Sequence, residues 1–339
     1  MKRATMTAPG QIEITEASAP TPGAGQVLLR IQRIGVCGSD IHVFHGKHPY
    51  TSYPVVQGHE FSALVEAVGS GVQGVERGDK VTAMPQIVCG RCAPCLRGDE
   101  HICDKLKVQG FQAPGCAQEL WVTSADKIVK LPKNFSFEQG ALVEPVSVAV
   151  HAVQRAGELR GRRAVVLGAG PIGNLVAQAA RAAGAEVLIT DLSDYRLDIA
   201  TKCGLAATSN PAREELGQAS KRVFGEAGFD LAFECVGVEA TLTAATENLA
   251  KGGTLIVVGV FGEKPRMDLG LVQDRELRIA GTLMYQRPDY EQAVAWIASG
   301  DIVTEPLMSE HFAMEDYLEA YRYIDARRDQ TMKVFIDVA

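Results

Sequence analysis

The chain has 339 residues, 46% of them hydrophobic and 22% charged, with a formal net charge of −7. A single core stops growing near roughly 250 to 300 residues, so this length predicts two lobes. The acidic balance excludes a nucleic-acid or anionic-membrane surface as the main partner and favours a small-molecule substrate.

The opening MKRATMTAPGQIEIT has no apolar run of signal-peptide length, and the expectation is a cytoplasmic protein, in which clustered cysteines serve as metal ligands or catalytic thiols rather than disulfides. Residues 1–147 carry short β-type runs, QVLLRIQRIG and ALVEAVG among them, punctuated by Gly, Pro and Asp, and predict a β-rich lobe. Residues 148–285 change texture. RAVVLGAG, PIGNLVAQAARAAG, EVLITD, DYRLDIATKCG, FDLAFECVG, TLTAATENLAKGG, TLIVVGV and LRIAGTLM alternate strand and helix, the pattern of an α/β fold with a doubly wound parallel sheet. Residues 286–339 hold the helices DYEQAVAWIASG and MEDYLEAYRYID and a last strand, KVFIDV; their pattern alone leaves open which lobe they join.

Four cysteines fall within CGRCAPCLRGDEHIC, at Cys89, Cys92, Cys95 and Cys103. The C-x2-C-x2-C-x7-C spacing departs from a ferredoxin run, whose fourth cysteine follows after three residues and precedes proline. It also exceeds the single C-x-x-C of a redox motif. Zinc takes four thiolates tetrahedrally and leaves no open position, so this set predicts a structural zinc that staples a loop. A second group, Cys37, His59, Glu60 and Glu144, is scattered through the first lobe. Alone, His59 also reads as a core histidine and Glu144 as a helix-cap charge. Together they match a catalytic zinc, which uses three protein ligands and keeps a fourth position open. Cys116, Cys203 and Cys235 read as packing residues.

In AVVLGAGPIGNLVAQAARAAGAEVLITD, Gly168, Gly170 and Gly173 follow a β-run and open a helix, with Asp191 ending the next β-run. The first glycine permits the tight turn, the second lets backbone approach a pyrophosphate, and the third lets helix and strand pack closely. Pro171 suits the first helical turn and, with Ile172, completes the loop. Asp191 is placed to accept from the ribose diol and to repel a 2′-phosphate, which favours NAD over NADP. No arginine follows it at once, Arg196 lying five residues on.

Taken in order, GHE at 58–60, the four-cysteine loop, ALVEP and GAGPIG resemble the zinc-dependent medium-chain dehydrogenase/reductase family over essentially the whole chain. The resemblance is strongest to its polyol branch, which includes sorbitol dehydrogenases, with threonine and sugar-acid dehydrogenases nearby. It implies a GroES-like catalytic domain at 1–147, a Rossmann NAD-binding domain at 148–285 and a return to the catalytic domain at 286–339, in a homodimer or homotetramer. It further implies Cys37 and His59 as zinc ligands, with Glu60 and Glu144 sharing the carboxylate role. Ser39 stands at the relay hydroxyl position and His42 at that of the outer base. Ala63 and Leu120 depart from common family residues without touching the metal.

The implied activity is zinc-dependent hydride transfer from a secondary alcohol of a polyol, sugar or sugar acid to NAD. Threonine-type amino alcohols and simple alcohols are the alternatives inside the family, and a non-catalytic zinc module is the rival class. A positioned general base contributes roughly 3 to 5 kcal/mol, whereas a metal that acidifies water from ~15.7 to ~7 supplies on the order of 12 kcal/mol. The metal is therefore the larger effect. His45, Lys47, His48, Tyr50 and Tyr53, between the Cys37 and His59 ligands, make a polar wall suited to a hydroxylated substrate, with Lys47 suited to a carboxylate or phosphate.

Overall fold

Strand Gln26–Gly35 buries most of its residues and forms the spine of the first of two units in this computed structural model, which describes residues 1–339. Val27, Leu29, Ile31 and Ile34 are fully enclosed, as a strand covered on both faces must be. Its neighbours are antiparallel. Glu60–Val68 runs along one edge, while Leu120–Ser124 and Lys333–Asp337 share the other, beside its first and last residues respectively. Lys80–Ala83 and Ile128–Lys130 extend the sheet on one side and Met308–Ala313 on the other. Phe61 and Trp121 meet edge to face in this core, with ring centroids 5.2 Å apart. The register sets Gly35 opposite both Glu60 and Phe335. The last strand of the chain is thereby delivered beside the segment that follows Gly35.

This first unit comprises Met1–Glu144, Gln286–Val294 and Met308–Ala339; the second comprises Pro145–Tyr285 and Ala295–Leu307. The second unit is built on six parallel strands in the spatial order Ala207–Ser209, Glu186–Thr190, Arg163–Leu167, Phe229–Glu234, Leu249–Val257 and Arg278–Gly281. Val165, Val166, Leu188, Ile189, Leu231, Phe233, Leu255 and Ile256 are enclosed, because crossover helices cover both faces of a parallel sheet. The strand order runs outward from Arg163–Leu167 in one direction and from Phe229–Glu234 in the other. Their junction is the topological switch point, outside which ligands of such sheets bind. The β-rich unit and the doubly wound parallel sheet are the architecture expected from the sequence.

Residues 295–307, grouped above with the return to the first lobe, pack instead in the second unit. Gln178 exchanges two hydrogen bonds with the Val303 backbone, at 2.7 and 3.1 Å, and Arg181 donates to the Asp301 carbonyl at 3.0 Å. No helix is long and apolar enough to cross a membrane.

Candidate active site

The helix Gly38–Phe44 starts directly after the Gln26–Gly35 strand, with Cys37 at its N-cap. Asp40 fixes this start: its Oδ2 accepts from the Cys37 backbone N–H at 3.0 Å. His59 and Glu60 enter from the neighbouring strand Glu60–Val68. One ligand atom each from Cys37, His59 and Glu60 lies within 4.8 Å of the others. Thiol, imidazole and carboxylate are all zinc donors, and three protein ligands leave a position open. Glu144, on helix Phe137–Arg155, is buried. It lies outside that 4.8 Å set, although its charge helps to raise the pKa of His59 and Lys333.

Lys333 was not among the candidate residues. Its Nζ donates to Glu60 Oε1 at 2.9 Å and Oε2 at 2.6 Å, and to the Val36 carbonyl at 3.3 Å. Both partners are buried. Burial opposes the ammonium, but Glu60 and then Cys37 outweigh it and raise Lys333 above its ordinary value. The pair explains Gly35: a Cβ there would come within 2.5 Å of Glu60 Oε2 and 3.4 Å of Lys333 Cδ. Each Glu60 oxygen retains a lone pair beyond the one that meets Lys333, so the pair is compatible with a metal on its other side.

Behind His59 lies a second buried set. Asp40 Oδ1 stands 3.6 Å from His59 Nδ1, too far for a hydrogen bond but close for its charge. Gln57 Nε2 donates to the same oxygen at 3.2 Å, and Tyr321 donates to Gln57 Oε1 at 3.0 Å. Burial disfavours charge on His59, yet Asp40 and then Cys37 outweigh it and push the imidazole well above its usual range. Burial, followed by Glu60, pushes the Cys37 thiol up. Three buried carboxyl groups, Asp40, Glu60 and Glu144, face two buried basic groups, Lys333 and His59, and this acidic surplus suits a divalent cation. A carboxylate behind a ligating imidazole also orients the ring and raises its basicity.

Ser39 and His42 sit three residues apart on helix Gly38–Phe44 and so share one face. Residual burial, then the His45 and Lys47 charges, lowers the His42 pKa. His45 pairs with Asp325 at 2.7 Å, and Tyr53 donates to the Val43 carbonyl. His48 stacks on Phe111 at 4.9 Å, and Phe111 lies 4.9 Å from His59. Lys47 and Tyr50 are exposed. The polar segment thus divides into anchors, one stack leading toward His59 with the Tyr50 ring edge-on to His48 at 6.2 Å, and the exposed Lys47.

Cys89, Cys92, Cys95 and Cys103 form a separate set with all four sulfurs within 4.8 Å. The Cys92 sulfur lies 3.3 Å from that of Cys95 and 3.8 Å from that of Cys103. Bonds of ~2.3 Å from a central zinc give tetrahedral edges of about 3.8 Å, so the set has the size for the ion. The Cys89 and Lys105 backbone N–H groups both donate to Cys103 Sγ at 3.3 Å. The Arg91 backbone N–H is the main cause that lowers Cys89 to about 6, and with the Cys92 backbone it outweighs burial. Thiolate is thus favoured at Cys89, while burial and then Cys92 push Cys95 up to about 12.

In the second unit, Gly168 has φ 98°, a conformation glycine adopts without strain. A Cβ on Gly173 would lie 1.9 Å from the Gly168 carbonyl oxygen, so strand end and helix start meet backbone to backbone. Gly170 caps the helix Pro171–Ala182, with Pro171 and Ile172 opening it. Asp191 Oδ2 accepts from Ala169 N at 2.7 Å and Oδ1 from Ser193 N at 2.8 Å. Arg196 comes within 3.7 Å of the same carboxylate. The cradle fits a dinucleotide: close backbone, a helix N-terminus and an anchored acid at the next strand end.

Residues 23–133 match the alcohol dehydrogenase GroES-like domain and residues 171–299 the zinc-binding dehydrogenase family. The chain is 36% identical over 325 residues to 2-dehydro-3-deoxy-L-galactonate 5-dehydrogenase of Pseudoalteromonas atlantica, covering 96% of this chain and 95% of that protein. It is 33% identical over 335 residues to sorbitol dehydrogenase of Ovis aries, covering 97% and 94%. A zinc-binding dehydrogenase of Sinorhizobium meliloti 1021, solved bound to NADP, superposes with a TM-score of 0.91 at 28% identity, over 99% of each chain.

Proposed function

Because the chain belongs to the zinc-binding dehydrogenase family, we propose that it oxidises a secondary alcohol of a polyol or sugar-derived acid, with NAD as acceptor and two zinc ions per chain. The gathering of Cys37, His59 and Glu60 within 4.8 Å carries this reading, since a purely structural zinc takes four protein ligands. Zinc held there would supply an electrophile for the substrate hydroxyl, and NAD would supply the hydride acceptor. Ser39 takes the hydroxyl proton and hands it toward His42, whose lowered pKa keeps it neutral and able to accept. The Asp40 charge faces the His59 ring from behind and raises its basicity. Lys333 holds Glu60 and offsets its charge, so that a carboxylate ligand costs the site less of its positive potential. Cys89, Cys92, Cys95 and Cys103 hold the second, structural zinc.

NAD preference is supported by Asp191, anchored through both oxygens and opposed to a 2′-phosphate. Arg196 offsets part of that charge, and the Sinorhizobium relative was solved with NADP, so the two cofactors need direct comparison. We expect kcat/KM with NAD at least about tenfold above that with NADP; equal turnover overturns the preference. The substrate class is supported by the sugar-acid and sorbitol dehydrogenases among the relatives and by the polar 45–53 segment. NADH formation should be measured with a neutral polyol, its corresponding acid and ethanol, in the unaltered protein and in Lys47→Ala. Ethanol as the best of the three overturns the reading. An acid-to-polyol ratio unchanged in Lys47→Ala removes that lysine from recognition.

We place the protein in the cytoplasm, where its eight free cysteines stay reduced. A homo-oligomer is supported by strand Arg278–Gly281, which ends the parallel sheet with an open edge and exposed Ile279 and Leu283 nearby. Light scattering that gives two or four chain masses is the expected result; a monomer at micromolar concentration overturns it.

A further inference from the structure

Glu234 ends strand Phe229–Glu234 on the switch-point side of the parallel sheet, next to Leu167 on one neighbour and Val257 on the other. It is wholly buried, a costly place for a carboxylate unless its bonds are used. One oxygen, Oε1, accepts three hydrogen bonds, from Val236 N and Gly237 N at 2.9 Å each and from Thr241 Oγ1 at 2.7 Å, while the buried Oε2 accepts none. The Glu234 backbone carbonyl accepts two more, from Val258 N and Gly259 N, both at 2.8 Å. One residue therefore ties together the two loops that leave adjacent strand ends.

Those loops are packed without tolerance. A Cβ on Gly237 would meet the Val260 carbonyl oxygen at 2.4 Å, and one on Gly259 would meet Gly237 N at 2.4 Å and Glu234 Oε2 at 2.8 Å. The first loop also abuts the glycine cradle: a Cβ on Gly168 would lie 2.8 Å from Val236 Cγ2, and one on Gly173 would lie 3.3 Å from Cys235 Cβ. What the loops present is apolar. Val236, Val238 and Val260 are exposed, Val260 by 81%, whereas Val165 and Val166 on the central strand are enclosed.

We propose that Glu234 is a positioning residue for the nicotinamide half of the cofactor, holding the Val236–Gly237 and Val258–Val260 loops so that their exposed valines form one face for the ring. The inference rests on the dinucleotide reading above. The glycine cradle and Asp191 serve the adenosine and pyrophosphate end, whereas the Glu234 loops lie at the switch point beside it. Loosening Glu234 should therefore weaken binding of the intact dinucleotide and spare a ligand that lacks the nicotinamide.

The test is titration of the full-length, zinc-loaded protein with NADH and, separately, with ADP-ribose, in the unaltered chain and in Glu234→Gln and Thr241→Val. Gln keeps the shape but replaces a charged acceptor by a neutral one, and Val removes a single donor. Expected is an NADH dissociation constant raised about tenfold in Glu234→Gln and about threefold in Thr241→Val, with ADP-ribose binding within about twofold of the unaltered protein. Equal weakening of both ligands overturns the inference in favour of a general structural role. Unchanged NADH binding in both variants overturns it outright. If Glu234→Gln fails to fold, Thr241→Val decides between the same outcomes. An unaltered protein that binds neither ligand overturns the cofactor reading itself, a result distinct from the variant outcomes.

Discussion

The two cysteine-bearing metal sets are built in opposite ways. The four-cysteine set takes all its ligands from fifteen consecutive residues, is partly exposed apart from buried Cys103, and receives backbone N–H donors at Cys103 and Cys89. The open set draws on Cys37, His59 and Glu60, with Lys333 arriving 273 positions after Glu60. It lies deep in the first unit, and buried charged side chains hold it. On the proposed reading, zinc in the first set would meet four protein ligands and could only hold a loop in place. In the second, three ligands leave room for a substrate, and the burial that strengthens electrostatics also demands the Lys333 and Asp40 partners.

Removing one ligand from each set should separate rate from stability. His59→Ala should lower kcat/KM for alcohol oxidation by about 10⁴-fold, ~5 kcal/mol, with the melting temperature close to that of the unaltered protein. NADH absorbance and a thermal scan on the same sample check both halves. Cys103→Ala should do the reverse at first, costing about 4 kcal/mol of stability as the loop loses its zinc. Urea titration reads the loss, and an unchanged midpoint would count against a structural role.

Lys333→Met tests the charge network between these extremes. Leaving Glu60 buried without its partner should cost about 3 kcal/mol, and the double variant with Glu60→Gln should cost less than the sum of the two single changes. The Lys333 pKa is raised by Glu60, so the stabilisation is complete below the ordinary lysine value of ~10.4 and is lost only as pH rises through the higher folded value. The unaltered protein and Lys333→Met should therefore converge in stability only in strong alkali; convergence near neutral pH contradicts the pairing.

His42→Ala should show the smallest effect, about tenfold in kcat/KM. Because burial and the His45 and Lys47 charges lower the His42 pKa, its neutral form persists below ~6.5, and the acid limb of the unaltered rate profile should fall below that pH. The limb should vanish in His42→Ala. An identical limb in both proteins would assign it to another group.

Legibility in the sequence followed the same division. The four-cysteine loop and the glycine cradle could be read directly because their chemistry is local: spacing alone places the sulfurs together, and a glycine triplet between strand and helix implies its own geometry. Cys37, His59 and Glu60 were legible as zinc-type donors within the first lobe, and family resemblance then joined them where spacing does not. Lys333 was missed although KVFIDV carries it in plain view, since only the register of the last strand against Gly35 brings it to Glu60. Phe111 and the Asp40–Gln57–Tyr321 chain were missed for the same reason, Tyr321 lying 264 residues from Gln57. The division of residues 286–339 escaped too, because the Gln178 and Arg181 contacts that draw 295–307 into the second unit leave no periodic trace.

The most direct test is zinc content measured by native mass spectrometry on the unaltered protein and on His59→Ala, each paired with an assay of NADH formation. Expected are two zinc ions per chain in the first and one in the second, with the variant folded and inactive. A single zinc in the unaltered protein, or a His59→Ala variant that keeps two ions and still turns over, would contradict two metal sites with separate tasks.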